Sequence, residues 1–282
     1  MPDLRERVDA ILHRFLEERR DAIGRVEPSG ALLIEEIGRL LDAGGKRIRP
    51  AFCVWGARAA GPPEDVRLLR AASALELLHT MAIVHDDLID GAKERRGVPA
   101  TAVRFAERAE ELGATGDPEE FGRAAALLVG DLSLVLADEL FLASGYGTDR
   151  LEPALARYHA MRERMAAGEF LDVLGGAADG PHAVHDAAAL KGGAYTVEGP
   201  LLIGSALGGG SREADSSLSA YGRSLGVAFQ LRDDLEDGDA PPSVDRSTVE
   251  GLVAEAIAAI DRSAIAPEAT VALRELAEGI AP

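Results

Sequence analysis

The stretch DVRLLRAASALELLHTMAIVHDDLID, residues 65–90, decides the fold because it is typical of one long helix that ends in carboxylates. It follows the break at 61–63, and its last apolar run, 81–84, leads directly into the acidic residues. Asp86 and Asp90 are four residues apart, so a helix places their carboxylates on one face, about one turn apart. We therefore predict a helix over 65–90 with an acidic C-terminal end.

A second acidic cluster, DDLED at 233–237, repeats this arrangement after the apolar run 227–231. Carboxylates at a helix C-terminus face the negative end of the helix dipole, and like charges within one turn repel each other. Bound Mg²⁺ would reverse the sign of that interaction, since it takes one or two carboxylates together with waters and phosphate oxygens. One such helix end is ordinarily a solvated turn, but two of the same form favour a metal–diphosphate site.

The rest of the chain also shows helical periodicity. Leu4, Val8, Ile11, Leu12 and Phe15 mark one face of an N-terminal helix. Stop and start signals predict further helices over 32–41, 50–60, 119–144, 151–174, 184–207, 211–237, 248–260 and 267–280. No alternating strand pattern, internal repeat or long linker interrupts them. We predict an all-α bundle that forms a single domain, 1–282.

Composition limits the possible partners. The formal net charge is −18, from 48 acidic and 30 basic residues, and such a surface repels nucleic acid and anionic lipid. A local basic pocket can still hold a small anionic substrate. The single cysteine, Cys53, cannot form an internal disulfide. The N-terminus lacks the apolar run of a signal peptide, and no segment reaches the ~20 apolar residues of a membrane span. We predict a cytoplasmic protein without a nucleic-acid partner.

Basic residues that can bind diphosphate lie near helix ends. Lys46 and Arg49 fall in a glycine break that leads into a helix, where phosphate groups bind readily. Arg95 and Arg96 follow the first acidic cluster, and Lys191 opens a Gly-rich segment. Each alone is ordinarily a solvated surface cation, so their value lies in combination with the two acidic clusters.

These motifs together resemble the trans-isoprenyl diphosphate synthase (polyprenyl synthetase) family, and in particular geranylgeranyl diphosphate synthases. The resemblance runs from about residue 32 to 237 and rests on seven segments in family order: GGKRIRP (44–50), LLHTMAIVHDDLID (77–90), RRGVPAT (95–101), VGDLSLVLA (129–137), GEFLD (168–172), KGGAYT (191–196) and GVAFQLRDDLED (226–237). It implies an isoprenoid-synthase-type bundle around a deep central cavity, with the two aspartate motifs facing each other at the mouth.

The resemblance also implies roles for individual residues. Two Mg²⁺ ions would be bound by Asp86, Asp87 and Asp90. A third ion would be bound by Asp233, with support from Asp234 and Asp237. The allylic diphosphate would be held by Arg95 and Lys191, in a site lined by Thr196 and Gln230. The diphosphate of isopentenyl diphosphate would be held by Lys46, Arg49, His79 and Arg96.

The implied reaction is head-to-tail prenyl transfer. Metal ions and basic side chains stabilise the departing diphosphate, so the allylic C–O bond ionises, and the isopentenyl double bond attacks the resulting cation. Product length in the family depends on bulk below the first aspartate motif. Met81 and Ala82 are not aromatic, which predicts geranylgeranyl diphosphate or a somewhat longer product. Alternatively, Met81 is ordinary core and another residue sets the depth.

The chain departs from the family pattern after the second aspartate motif. No lysine follows Lys191, and the region at about 238–248 is shorter than the family's mobile loop. Arg246 is not an equivalent replacement for the missing lysine. Two alternatives therefore remain: a non-catalytic or regulatory subunit of a heteromeric synthase, and a terpene cyclase of the same fold. The resemblance implies a homodimer, and a heteromer is also possible.

Overall fold

A computed structural model describes the backbone of residues 2–61, 64–95, 97–174, 189–238, 240, 244–263 and 265–280, with the side chains of all these except 2–3, 189–192 and 237. Helices make up most of this part of the chain, and the strands found in it are only two residues long. The predicted all-α fold is confirmed. The single domain over 1–282 and the deep central cavity stay predictions.

The elements follow one another with short connections. In chain order the helices are α1 (Pro2–Val26), α2 (Ala31–Asp42), α3 (Ile48–Ala59), α4 (Val66–Ile89), α5 (Thr101–Glu107), α6 (Pro118–Leu142), α7 (Thr148–Val173), a π-helix (Ala189–Glu198), α8 (Gly199–Gly208), α9 (Arg212–Asp237), α10 (Arg246–Asp261) and α11 (Pro267–Glu278). A 3₁₀ turn (Pro28–Gly30) precedes α2, and the strands β1 (Glu94–Arg95) and β2 (Val98–Pro99) form an antiparallel hairpin after α4.

Capping residues explain the boundaries of α4 and α9, the two helices that end in the acidic clusters. Asp65 accepts a hydrogen bond from the backbone N–H of Leu68 at the start of α4, at 3.0 Å. Ser211 accepts one from Ala214 at the start of α9, and α9 ends at Gly238 in the left-handed conformation, with φ +83°. Polar N-caps and a C-terminal glycine are the usual boundaries of a helix. Both helices therefore end where the sequence predicted, with an acidic cluster in the last turn.

The prediction of one α-helix over 184–207 is wrong for residues 189–198. Residues 184–188 lie outside the described residues; from Ala189 to Glu198 the chain forms a π-helix, and α8 begins at Gly199. Pro200 explains the change because it has no N–H to donate to the carbonyl four residues earlier, and its ring crowds that carbonyl. A wider turn before Pro200 relieves the clash.

Two short elements were not predicted from the sequence. Helix α5 is only seven residues long, and each strand of the hairpin has two residues. Segments of this length carry too few residues to show either a helical or an alternating hydrophobic period. The hairpin nevertheless matters, because it carries Arg95, and it turns at Gly97 with φ +76°.

Unit 1 is a compact group formed by Met1–Arg47 and Leu69–Ser144. Helix α2 packs against both α1 and α6, and α5 also packs on α6. The interior contains apolar side chains such as Val8, Ile37 and Phe141. A buried carboxylate, Glu36, accepts hydrogen bonds from Arg39 and Thr101 and pairs with Arg104. A buried charge needs such partners, so Glu36 links α2 to the α5 region.

Unit 2 is a second compact group, formed by Ile48–Leu68 and Gly145–Pro282. Helices α3 and α8 approach each other closely, since a Cβ added at Gly204 would lie only 1.8 Å from the carbonyl oxygen of Cys53. The π-helix, α10 and α8 all pack against α9. Tyr221 of α9 is fully buried and donates a hydrogen bond to the carbonyl of Leu273, at 2.7 Å. Helix α9 is therefore held on several sides, which fixes the helix that ends in the second acidic cluster.

Among the helices that the structure describes, none combines the length and the apolar character that a bilayer crossing requires.

Candidate active site

The first acidic cluster lies at the C-terminal end of α4, in unit 1. Asp87 is buried, with 6% of its side chain exposed, whereas Asp86 is partly exposed and Asp90 is exposed. The chain reverses through Gly91, with φ +62°, and the hairpin then brings Arg95 back to the helix end. The Arg95 guanidinium donates to Asp86 Oδ2 at 2.8 Å and to Asp87 Oδ1 at 2.7 Å. In the structure, the carboxylates of Asp86 and Asp87 therefore lie together with Arg95.

Charge is only partly balanced in this cluster. Burial raises the pKa of Asp87, the hydrogen bonds and charge of Arg95 oppose that rise, and the neighbouring carboxylates of Asp86 and Asp90 add to it. Asp86 and Asp87 thus share one guanidinium, with the Asp90 carboxylate nearby, at the negative end of a helix dipole. This arrangement disfavours the negative charge that it carries, so an additional cation would be stabilised there.

A histidine next to the cluster packs on a glycine of α6. The His85 ring nitrogen Nε2 lies 3.4 Å from the Leu127 carbonyl oxygen and 3.8 Å from Asp131 Oδ1. A Cβ added at Gly130 would lie 2.1 Å from the same nitrogen. The absent side chain at 130 therefore makes room for the imidazole. This contact joins the segments 77–90 and 129–137, and it was not predicted from the sequence.

The segment 44–50 contains three basic residues with different surroundings. Lys46 is exposed, as a substrate-binding lysine would be. Arg47 is buried and donates to Asp9, Glu76 and the Leu41 carbonyl, at 2.7, 3.0 and 2.8 Å. Because its guanidinium is bonded on all sides to the protein, Arg47 is a structural residue that sequence reasoning did not distinguish from its neighbours.

Arg49, the third basic residue of this segment, belongs to α3 in unit 2. Its Nη2 donates to the hydroxyl of Thr196 at 3.0 Å, and its guanidinium carbon lies 4.4 Å from the centre of the Tyr195 ring. Thr196 was predicted to line the allylic site, and Arg49 to bind isopentenyl diphosphate. The structure brings these two residues into direct contact.

The second acidic cluster lies at the C-terminal end of α9. Asp233 accepts a hydrogen bond from Arg232 at 2.8 Å, and Asp234 accepts one from the amide of Gln230 at 2.8 Å. The Arg232 guanidinium also lies over the Phe229 ring, at 5.0 Å. Gln230 was predicted to line the diphosphate site, and here it supports Asp234. Arg232 was not predicted, although a basic residue directly before two aspartates was visible in the sequence.

The remaining predicted residues lie on α4, on the π-helix and on α9, or outside the described residues. His79 is half-buried on α4, Met81 is buried there, and Ala82 is half-buried. Lys191 lies in the π-helix and Asp237 is the last residue of α9, but their side chains are outside the described part. Arg96 lies outside the described residues altogether. The roles of all these residues stay predictions.

The donor set fits magnesium rather than a softer metal. Within the described residues, no group of three or more His, Cys, Asp or Glu side chains is arranged to hold a metal ion alone. Magnesium does not need such a cage, because it keeps waters and shares its coordination with substrate phosphates. Carboxylate oxygens at a helix C-terminus, such as those of Asp86 and Asp87, are donors of the right kind.

Comparison with known proteins gives consistent results. A family model described as polyprenyl synthetase matches residues 31–248. The chain is 32% identical over 222 residues to a geranylgeranyl diphosphate synthase of Methanosarcina mazei, covering 73% of this chain and 58% of that protein. It is 30% identical over 223 residues to a short chain isoprenyl diphosphate synthase of Methanothermobacter thermautotrophicus, covering 78% and 62%. The matched region thus spans about three fifths of these relatives' own length.

A solved structure shows the same fold over nearly the whole chain. It is that of a geranylgeranyl pyrophosphate synthase from Corynebacterium glutamicum complexed with isoprenyl diphosphate and magnesium. The TM-score is 0.90, with 99% of this chain and 98% of that chain covered at 24% identity. The family model and the sequence relatives, together with this fold, show that the chain belongs to the polyprenyl synthetase family.

Proposed function

We propose that this chain is a magnesium-dependent prenyltransferase, which condenses an allylic diphosphate with isopentenyl diphosphate head to tail. The observation that carries the proposal is the first acidic cluster, in which Asp86 and Asp87 share the guanidinium of Arg95 at the end of α4. Such a site suits a metal-bound diphosphate, because the carboxylates can bind the metal ions and the planar guanidinium can bind the phosphate oxygens. Membership of the family supports the same substrates.

Magnesium, when bound, supplies positive charge that stabilises the diphosphate as a leaving group. Two of the three expected ions would be held by Asp86, Asp87 and Asp90. The third would be held by Asp233, with Asp234 and Asp237 in support. Every further contact with the substrates is assigned to basic and polar side chains of this chain.

The binding residues divide into two groups. Arg95 and Lys191 bind the allylic diphosphate, and Thr196 and Gln230 orient the groups around it. Lys46, Arg49, His79 and Arg96 bind the diphosphate of isopentenyl diphosphate. Charged donors are suited to this task because hydrogen bonds between ions are short and strong.

The reaction balances without any further reagent. The allylic C–O bond breaks, and its electron pair leaves with the diphosphate. The isopentenyl double bond then attacks the allylic carbon, which forms the new C–C bond and a tertiary cation. A proton is lost from the neighbouring carbon to a diphosphate oxygen, and a new double bond forms. The expected product is geranylgeranyl diphosphate or a somewhat longer chain, because Met81 and Ala82 add little bulk.

Self-association is part of the proposal. Exposed apolar residues recur every seven positions on α6, with Leu128, Val135 and Leu142 exposed by 54, 59 and 50%. Such a row on one helix favours a protein–protein contact. We expect a homodimer, which light scattering after size exclusion would detect. Substituting Val135→Glu should then yield a monomer; a wild-type monomer, or association only with a different subunit, would contradict the homodimer.

The direct test is incubation of purified protein with Mg²⁺, labelled isopentenyl diphosphate and each allylic diphosphate in turn, followed by sizing of the product. A defined, longer prenyl diphosphate is expected, with kcat reduced at least about 100-fold by Asp86→Ala. Asp21→Ala is the matched control, because Asp21 is an exposed aspartate of α1. A cyclised hydrocarbon without label would indicate a terpene cyclase instead, and no turnover with any starter would indicate a regulatory subunit.

A further inference from the structure

Arg49 is held by two successive residues of the π-helix. Its Nη2 donates to the Thr196 hydroxyl at 3.0 Å, and its guanidinium carbon stands 4.4 Å from the centre of the Tyr195 ring. Its Nε is buried and has no hydrogen-bond partner among the described residues. A buried N–H without a partner is costly, so this guanidinium still has capacity for a ligand.

The π-helix offers a firm support for this contact. Tyr195 and Thr196 are both buried, with 5% and 3% of their surface exposed. Gly193 of the same helix lies against Gly226 of α9, where an added Cβ would come within 2.2 Å of the Gly193 Cα. At the far end, buried Glu198 accepts a hydrogen bond from Ser219, at 2.5 Å. The part of the π-helix from Gly193 to Glu198 is therefore packed against α9 at both of its ends, and the face that meets Arg49 has little freedom to move.

We propose that Tyr195 is a positioning residue, whose ring, together with the Thr196 hydroxyl, holds the Arg49 guanidinium in one orientation for the diphosphate of isopentenyl diphosphate. This inference rests on the proposed function and extends it to a residue that the motifs did not assign. The aromatic face attracts the cation, whose central carbon lies over the ring. The Thr196 oxygen accepts one N–H, which limits rotation of the guanidinium over the ring. The remaining donors are then oriented before the substrate arrives, which lowers the entropy cost of binding.

The test compares Tyr195→Leu with Tyr195→Phe in steady-state kinetics. Leucine removes the aromatic face, and we expect KM for isopentenyl diphosphate to rise about tenfold. Phenylalanine keeps the face and should stay within about twofold of wild type. The KM for the allylic diphosphate and the kcat should change much less, because a lost orienting contact in one substrate site weakens binding there. Equal KM values in all three proteins would overturn the proposal.

A second measurement separates electrostatics from packing. Tyr195 is buried, so leucine can also disturb the fold. Fluorination of a phenylalanine installed at position 195 keeps the ring's shape but weakens its attraction for a cation. A stepwise rise of KM for isopentenyl diphosphate with fluorine number is expected, with no change of melting temperature. A flat series would show that the ring acts only by filling space, and would overturn the proposal.

A matched control comes from elsewhere in unit 2. The Arg67 guanidinium lies over the Tyr146 ring at 4.9 Å, a pair of the same kind that involves no proposed site residue. Tyr146→Leu should leave both KM values unchanged.

Binding of isopentenyl diphosphate can be measured directly, which tests the inference even if no turnover is found. Calorimetric titration with isopentenyl diphosphate should show binding about tenfold weaker to Tyr195→Leu than to wild type. In an Arg49→Leu background, the same tyrosine substitution should have no further effect, since both act through one contact. Wild type that binds isopentenyl diphosphate but does not turn it over would contradict the proposed function and leave this inference standing. Equal KM values, or equal binding affinities, in wild type and Tyr195→Leu would contradict this inference and leave the proposed function standing.

Discussion

Arg95 Nε lies 2.7 Å from Asp87 Oδ1, so the buried carboxylate of the first acidic cluster is already paired with a cation of the chain itself. The same guanidinium bonds to Asp86 through Nη2, at 2.8 Å. Arg95 was predicted to bind the allylic diphosphate, and it can do so only by sharing or leaving these carboxylates. We therefore expect metal binding and substrate binding at this helix end to be coupled through one side chain.

Replacing Arg95 should change the two affinities in opposite directions. Arg95→Gln removes a positive charge beside Asp86 and Asp87, so Mg²⁺ should bind the substrate-free protein about threefold to tenfold more tightly. The KM for the allylic diphosphate should rise by about tenfold or more, because a charged donor is lost. Calorimetry measures the first effect, and kinetics the second. Arg108→Gln, which removes an arginine paired with exposed Glu111, should change neither. Weaker Mg²⁺ binding by Arg95→Gln would contradict the coupling.

A methyl group at position 130 should disturb the first acidic cluster from the side. In Gly130→Ala the new Cβ would meet the His85 imidazole at 2.1 Å, so the end of α4 must shift or the ring must turn. We expect a loss of about 1–3 kcal/mol in the free energy of unfolding, measured with urea. Gly251→Ala is the control, because nothing lies within 4 Å of its added Cβ. That variant should instead gain about 0.5–1 kcal/mol, as alanine favours the helix.

The contact itself can be checked by removing the imidazole while the methyl group stays. His85→Ala in the Gly130→Ala background should recover most of the lost stability, because the methyl group then has room. Failure to recover would mean that Gly130 matters for a reason other than His85.

The sequence was sufficient for features set by local chemistry. The ends of α4 and α9 follow from Asp65, Ser211 and Gly238, which act on residues only a few positions away. The two acidic clusters could be located for the same reason. These signals act over only a few residues along the chain, so they can be recognised without knowledge of the tertiary contacts.

Other features depend on distant contacts and could not be predicted. Nothing in the segment 44–50 tells that Arg47 is buried between Asp9 and Glu76 while Lys46 is exposed. Arg47 has φ +50°, a conformation that is uncommon outside glycine. Its side chain makes three hydrogen bonds there, to Asp9 of α1, Leu41 of α2 and Glu76 of α4. The packing of the π-helix against α9 likewise depends on the close approach of Gly193 and Gly226, which are far apart in sequence.

The start of α10 should confer a pH-dependent stability. Asp245 accepts hydrogen bonds from Ser247 and from the backbone and hydroxyl of Thr248, and these lower the pKa of its carboxyl below the ordinary value of 3.8. The folded-state pKa is the lower one, so the stabilisation is present above pH 3.8 and is lost as the pH falls through the folded pKa. Asp245→Ala should therefore melt at a lower temperature than wild type at neutral pH, and the difference should shrink in acid.

The control for this prediction is Glu250→Ala, which removes an exposed carboxylate of α10. It should leave the melting temperature nearly unchanged at every pH. A difference between Asp245→Ala and wild type that persists undiminished at pH 2 would show that the charge of the cap is not responsible.

Bulk near the first aspartate motif should shorten the product. Ala82 lies four residues before Asp86 on α4 and is half-buried, so Ala82→Phe adds a ring about one turn from the carboxylates. If the growing chain passes this turn, we expect the product to lose one or more five-carbon units while turnover is retained. Product sizing measures the change. Ile83→Phe places a ring of the same size on a neighbouring face of the same helix and is the matched control. An unchanged product in Ala82→Phe, or equal shortening in both variants, would show that another position sets the depth.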